Sequence, residues 1–335
     1  MPRSWTIGQN TGVSLPRRLG RLQQVSRIGV GGFATVWLYH DEELDSPVAV
    51  KALADNWAQR ADVRERFLEE GRILRRADAD HVVRVYDIGE TDDGTPYFVM
   101  TYADRGTVAD LLAKGTPSVE ETVRLVGQAG LGISVLHRLG VVHRDVKPQN
   151  LLLQSVGDGE TRLLVADLGV AKALLHASGI TQVVGTPAYM APEQAWPGAG
   201  VDTRADVHAL AAVAYQLFTG RQAREGGLGD LMAARMPQPP TVYTELPLAL
   251  NDVLLKGLHP EREKRWPDVD SFVHALEGAA TGRPVHLNHA WPVTVREPEP
   301  GRWSGMRGWR LGVLAVVVLM VAFLAGYLAM SGLQG

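Results

Sequence analysis

From Arg21 to about Tyr102 the apolar and polar positions change over in short runs that suit strands more than helices. "LQQVSRIGVGG" and "FATVWLYHDE" alternate on either side of a glycine pair, which predicts a hairpin, and "SPVAVKAL" predicts a third strand. "ADVRERFLEEGRILRRA" is different. Val63, Phe67, Ile73 and Leu74 recur at helical spacing with charges between them, so this stretch is a predicted helix. "VVRVYDIG" and "PYFVMTY" return to strand. Beyond Tyr102 the longer period dominates and predicts helices over Thr107–Lys114, Val119–Leu139, Thr203–Thr219 and Leu248–Leu258. The expectation is an α+β, bilobal chain: a small β-rich lobe, then a larger helical lobe, with a ligand cleft between them.

The ends differ from this core. Residues 1–20 are polar with Gly and Pro, contain no apolar run of secretory-signal length, and are expected to be flexible. The main domain is expected over 21–278. Residues 279–310 mix Pro, Gly and charge without periodicity and read as a linker. Leu311 to Met330 holds no charged residue and no proline, and its length matches the roughly 20 residues of a membrane-crossing helix. A buried core helix is the competing reading, but Arg302, Arg307, Arg310, Trp303 and Trp309 before the run suit a membrane interface. Positive charge on that side places the larger part in the cytoplasm, makes the chain single-pass in the cell membrane, and leaves 331–335 as a short extracytoplasmic tail. Ala322 and Gly326, four apart, offer a face for helix pairing and hence for a homodimer; pairing through the main domain stays open.

Composition adds three constraints. A net charge of −3 gives no electrostatic case for a nucleic-acid partner. The absence of cysteine excludes disulfides and thiolate metal sites. Lysine is scarce beside arginine, so Lys51 and Lys147 carry weight where they fall near other chemistry.

Gly29 and Gly31, in "IGVGGFATV", sit between two predicted strands and not before a helix, which speaks against a dinucleotide-binding turn. Such a hairpin is either a plain turn or a flexible flap whose N–H groups cover phosphates. Lys51 ends "VAVK" on a strand beside that hairpin, and an acidic partner would fix it. Glu65, Glu69 and Glu70 are candidates. Glu70 shares a helix face with Phe67 and turns inward if Phe67 does. In "VVHRDVKPQN", Asp145 is suited to accept a proton from an attacking hydroxyl. Lys147 can neutralise a transferring phosphoryl group, and Asn150 offers a neutral oxygen to a hard cation such as Mg²⁺.

"HRDVKPQN", together with "RFLEEGRIL", "HVVRVYDIG", "YFVMTYADRGTVADLL" and "GTPAYMAPEQ", resembles the bacterial, membrane-anchored members of the eukaryotic-type serine/threonine protein kinases. The resemblance runs from about Arg21 to Leu276, and the motifs fall in order at family spacing. It implies ATP as phosphoryl donor, Mg²⁺ (or Mn²⁺ in its place) as metal, and protein Ser or Thr hydroxyls as acceptors. The implied catalytic residues are Asp145, as base, and Lys147. The implied cofactor-binding positions are Ile28, Gly29, Gly31, Val36, Ala49, Lys51, Glu70, Met100 (the gatekeeper), Thr101 and Ala103. Asn150 and Asp167 would hold metal. Ser178, Thr181 and Thr186 are candidate phosphorylation sites in an activation segment ending at Ala191-Pro192-Glu193, with Arg144 to receive a phosphate and Thr181 favoured. Asp206 would support the catalytic loop, and Arg265 would pair with Glu193.

Three positions depart from the family pattern: Ala34 for a third glycine, Leu168 for phenylalanine after Asp167, and His208 for tyrosine. All of Lys51, Glu70, Asp145, Asn150 and Asp167 are present, so an active kinase is expected over an ATP-binding scaffold without turnover. A small-molecule phosphotransferase is disfavoured by "GTPAYMAPE", which suits a peptide-binding ledge.

Overall fold

The computed structural model describes residues 15–169, 187–196, 198, 200–224, 241–243, 246–282 and 294–296. The candidate phosphorylation sites Ser178, Thr181 and Thr186 and the apolar run 311–330 lie outside them. Among the described residues no helix is long and apolar enough to cross a membrane.

The first lobe is a six-stranded sheet. Its strands are β1 (Arg18–Leu19), β2 (Leu22–Val30), β3 (Ala34–Asp41), β4 (Ser46–Leu53), β5 (Val85–Glu90) and β6 (Pro96–Thr101), ordered β1-β2-β3-β4-β6-β5. Two helices, α1 (Asp55–Ala58) and α2 (Ala61–Arg76), connect β4 to β5. The alternation in β4 is what equips the cleft. Val48, Val50 and Ala52 face a small core with Leu15, Leu22, Tyr39 and Val99. Ala49 and Leu53 face the main core with α2, and Lys51, of the same parity, faces that way too. Both faces are buried, which is why the strand reads as a nearly continuous apolar run. Residues 15–19, expected to belong with the flexible N-terminal stretch, close the small core instead. Leu15 is buried, its carbonyl accepts from Gln24 Nε2 at 3.0 Å, and the Pro16 carbonyl accepts from Tyr39 Oη at 2.6 Å.

The second lobe carries α3 (Val108–Lys114), α4 (Val119–Arg138), the hairpin β7 (Leu151–Ser155) and β8 (Thr161–Val165), α5 (Arg204–Thr219), α6 (Leu248–Gly257) and α7 (Val269–Ala280). Three of its helices begin where a side chain satisfies a free N–H group of the first turn. Thr107 and Asp110 cap α3 reciprocally, Ser118 caps α4 and Asp268 caps α7. Helix α5 is buried on all sides, with 13 of its 16 residues inside, and stops at Gly220 with φ +69°. The other helices pack around it. Within the stretch read as a linker, Thr294–Arg296 (β10) pairs in parallel with Thr241–Tyr243 (β9).

Candidate functional site

Sheet register puts Lys51 opposite Val36, and Val36 opposite Gly29, so the lysine lies under the glycine hairpin as its spacing predicted. Phe67 is 3 % exposed and Glu70 4 %, so both face inward from α2. Of the three candidate glutamates it is therefore Glu70 that meets the lysine: Lys51 Nζ lies 2.7 Å from Glu70 Oε1 and also 2.7 Å from Asp167 Oδ1. Burial opposes the lysine charge, but the Asp167 and Glu70 carboxylates outweigh it and hold the Lys51 pKa above the ordinary lysine value. The ammonium therefore keeps its charge at neutral pH. The Glu70 carboxylate is buried, whereas the Asp167 side chain keeps 46 % of its surface exposed.

Backbone strain marks the opposite wall. Arg144 has φ +65° and Asp167 φ +59°, in the left-handed region that residues with side chains visit uncommonly. Asp206, fully buried on α5, enforces the first. Its Oδ2 accepts the His143 N–H at 2.7 Å and its Oδ1 the Arg144 N–H at 2.8 Å. His137 Nε2 reaches the same Oδ2 at 2.8 Å. His143 ties this loop to the segment after β8 that bears Asp167. Its Nδ1 accepts the Asp145 N–H at 3.3 Å, so its Nε2 carries the proton and donates to the Ala166 carbonyl at 3.0 Å. Gly169 N–H closes the crossing on the His143 carbonyl at 2.8 Å.

The loop delivers Asp145, Lys147 and Asn150 together. Lys147 Nζ is 3.1 Å from Asp145 Oδ2. Asn150 Nδ2 donates to Asp145 Oδ2 at 2.7 Å and to the Asp145 carbonyl at 2.8 Å, and lies 3.4 Å from the Asp167 carbonyl. With its nitrogen so engaged, the Asn150 amide has its oxygen left for a cation beside the Asp167 carboxylate. Two oxygen donors and space for further oxygen ligands suit Mg²⁺, which keeps waters and phosphate oxygens in its shell. Among the described residues no cluster of three or more acidic or histidine side chains offers a metal cage of its own.

At the back of the cleft Ala49 faces Met100 across β4 and β6, both buried, while Ile28 lies 44 % exposed on the hairpin. The connecting segment is partly engaged already. Thr101 N–H donates to the Arg84 carbonyl at 2.9 Å and the Tyr102 carbonyl accepts from Gln154 Nε2 at 3.2 Å. These bonds remove two of the backbone groups that the Thr101–Ala103 stretch offered to a base edge. Ala103 N–H has no acceptor among the described residues. Leu168 is 4 % exposed and Ala34 7 %, so these two of the three departures from the family pattern fill apolar space. Glu193 and Arg265 meet as expected, in a two-bond pair of 2.6 and 2.7 Å. Sequence reasoning overlooked the short helix α1, whose Trp57 touches the glycine hairpin. A four-residue helix shows no periodicity from which to predict it.

Residues 22–261 match the protein kinase domain family. Among curated proteins the chain is 33 % identical over 293 residues to the Myxococcus xanthus serine/threonine-protein kinase Pkn1, covering 85 % of this chain and 41 % of that protein. It is 31 % identical over 301 residues to PknA of Corynebacterium glutamicum, covering 86 % of this chain and 62 % of that one. The chain thus spans about two fifths to three fifths of the length of these relatives. Among solved structures, the Mycobacterium tuberculosis PknI kinase domain superposes with a TM-score of 0.63 at 27 % identity, covering 82 % of this chain and 100 % of that one. Together with the geometry above, these matches show that the chain belongs to the protein kinase domain family.

Proposed function

We propose that this chain is a serine/threonine protein kinase that transfers the γ-phosphoryl group of ATP to protein hydroxyls. The observation that carries the reading is the convergence of Lys51, Glu70 and Asp167 with Asp145, Lys147 and Asn150 in one cleft, with both constellations assembled. Lys51, held by Glu70, presents a fixed positive charge to the α- and β-phosphates. Asn150 and Asp167 would hold Mg²⁺ (or Mn²⁺), which when bound neutralises phosphate charge. Asp145 accepts the proton of the substrate hydroxyl as its oxygen bonds to the γ-phosphorus. The bond from that phosphorus to the β,γ-bridging oxygen breaks, and ADP leaves with the electron pair. Lys147, 3.1 Å from the base, neutralises the phosphoryl group in transit. Ser and Thr specificity rests on Lys147 and on Thr186 in "GTPAYMAPE". An ATP-binding scaffold without turnover would have no use for the Asp145–Asn150 arrangement.

The same reading extends to regulation and place. Arg144 is exposed beside Asp145 and available to a phosphate on Thr181, Ser178 or Thr186, so activation-segment autophosphorylation is part of the proposal. The run 311–330 anchors the chain as a single span with the kinase domain on the cytoplasmic side, and Ala322 and Gly326 supply a face for a homodimer. Incubation with labelled ATP and Mg²⁺, beside Asp145→Asn and Lys51→Ala, tests the activity. Label on Ser or Thr in the unmodified protein alone supports it, and ATP binding without label in any version overturns it. Full activity in dephosphorylated Thr181→Ala would remove that residue from the scheme. Release from membranes by alkaline carbonate would remove the anchor.

A further inference from the structure

The tip of the glycine hairpin is fastened. Phe33 stacks on Trp57 of α1, with ring centroids 5.0 Å apart and planes 29° apart. Trp57 Nε1 donates to the Gly32 carbonyl at 2.7 Å, and Ala54 N–H, just before α1, donates to the Phe33 carbonyl at 2.8 Å. The turn is also closed on itself, since Gly31 N–H donates to the Ala34 carbonyl at 2.8 Å. A peptide unit is planar and trans, so pinning the Gly32 oxygen toward Trp57 turns the Phe33 N–H the opposite way. Neither the Gly32 nor the Phe33 N–H donates to any other described residue. These are the donors that an oxygen anion under the hairpin would need. Trp57 is itself tied to the start of α2. The Arg60 guanidinium lies 5.9 Å from its ring centroid, and Arg60 Nε donates to Asp62 Oδ1 at 3.1 Å. Glu70, on that helix, holds Lys51.

We propose that Trp57 is a positioning residue: its indole clasps the hairpin through Gly32 and Phe33, so that the loop's free N–H groups and Lys51 form one pre-organised cradle for the ATP phosphates. The proposal rests on the kinase reading above. The clasp also accounts for Ala34 standing at a third glycine position, because a loop fastened at its tip has less need of glycine's freedom there.

The test is direct calorimetric titration of the full chain with ATP·Mg²⁺ and, separately, with adenosine, which lacks the phosphates. Trp57→Leu removes both the stack and the N–H donor and is expected to weaken ATP about tenfold while leaving adenosine within about twofold. Phe33→Leu keeps the indole donor and loses the stack, and is expected to weaken ATP about threefold, again sparing adenosine. In the double variant the two losses are expected to fall short of their product, as for groups in contact. A reporter of general damage would lose both ligands together. Unchanged ATP affinity in both variants, equal loss of ATP and adenosine, or independent multiplication of the two losses overturns the clasp. If the unmodified chain binds no ATP, the kinase reading falls and the clasp falls with it; if it binds ATP and the variants match it, the clasp alone falls.

Discussion

Arg265 grips Glu193, 72 residues earlier in the chain, through two bonds: Nη1 to Oε1 at 2.6 Å and Nη2 to Oε2 at 2.7 Å. The arginine side chain is wholly buried, and its other donors reach the His259, Arg204 and Pro260 carbonyls at 2.6, 3.0 and 2.9 Å. The two residues are therefore unequal. Arg265→Leu strands a buried carboxylate and three carbonyls, and is expected to cost about 3–5 kcal/mol. Glu193→Gln leaves an acceptor in place and the carbonyl bonds intact, and is expected to cost about 1–3 kcal/mol. Urea unfolding of the two variants separates the values; equal losses would mean that the carbonyl contacts contribute nothing.

Asp206 holds the strained turn at Arg144 by accepting the His143 and Arg144 N–H groups at 2.7 and 2.8 Å. Asparagine has a single acceptor oxygen where aspartate has two, so Asp206→Asn releases one of these N–H groups or the His137 contact. The strain is then no longer opposed, and Asp145 shifts. Misplacement by about 1 Å is enough to lower a rate by about 10²-fold. The expected result is kcat down by about one to two orders of magnitude, with ATP affinity falling much less, because Lys51 and Glu70 lie on the other lobe and only Asn150 and Asp167 are tied to the displaced loop. Steady-state kinetics with direct ATP titration would check both halves, and an equal loss in affinity would contradict the assignment of Asp206 to the loop alone.

The parts of this cleft that local spacing controls were legible in the sequence. Parity along β4 set the side on which Lys51 lies, and the i to i+3 step from Phe67 set that of Glu70. The closeness of Asp145, Lys147 and Asn150 follows from their spacing within one short loop. The Lys51–Asp167 contact joins residues 116 apart, and no local period encodes it; the family resemblance placed both residues at the ATP site without pairing them. Three features were hidden. Residues 15–19 look polar and flexible because what attaches them is Leu15, a partly buried Leu19, three backbone carbonyls and a two-residue strand, too short to show a pattern. The backbone groups of Thr101 and Tyr102 taken by Arg84 and Gln154 depend on side chains and backbone that arrive from elsewhere. Helix α1 is too short to show a period.

Helix α4 contains two glycines whose tolerance should differ although they are two positions apart. A Cβ on Gly132 would lie 2.3 Å from the His81 carbonyl oxygen and 2.7 Å from Val165 Cγ2. That backbone cannot yield, since Val165 N–H donates to the same oxygen at 2.9 Å. On Gly130 the nearest atoms would be Val273 Cγ2 at 2.5 Å and Val269 Cγ1 at 3.3 Å, both side-chain methyls on α7 and not hydrogen-bonded backbone, so a small shift of that helix relieves the contact. Alanine gains about 1 kcal/mol of helix propensity in each case. Gly132→Ala is expected to be destabilising by about 3 kcal/mol or more, as the clash exceeds ordinary overpacking, and Gly130→Ala by about 1 kcal/mol or less. Denaturant midpoints at constant slope would show the contrast, and equal values would remove the distinction between backbone and side-chain contact.

His208 is a fully buried imidazole on α5 whose two nitrogens make no hydrogen bond among the described residues. Burial, then the Arg224 and Arg265 charges, push its pKa well below the usual histidine value. The Tyr189 carbonyl lies near enough to oppose this but forms no bond with the ring. The folded state therefore binds no proton here at pH values where the unfolded chain does, so the stability linked to His208 is present above the unfolded pKa of about 6.5 and is lost as pH falls below it. His259 shifts in the same direction, chiefly through burial, so a single pH profile would mix the two. The difference between the unmodified chain and His208→Leu isolates the one group. Below about pH 6.5 that difference is expected to change by about 1.4 kcal/mol per pH unit, with the unmodified chain losing ground, and to be flat above pH 7. Unfolding free energies from urea titrations between pH 5 and 8 would test it. A difference that stays constant through that range would mean that His208 gains a proton in the folded state as readily as in the unfolded one.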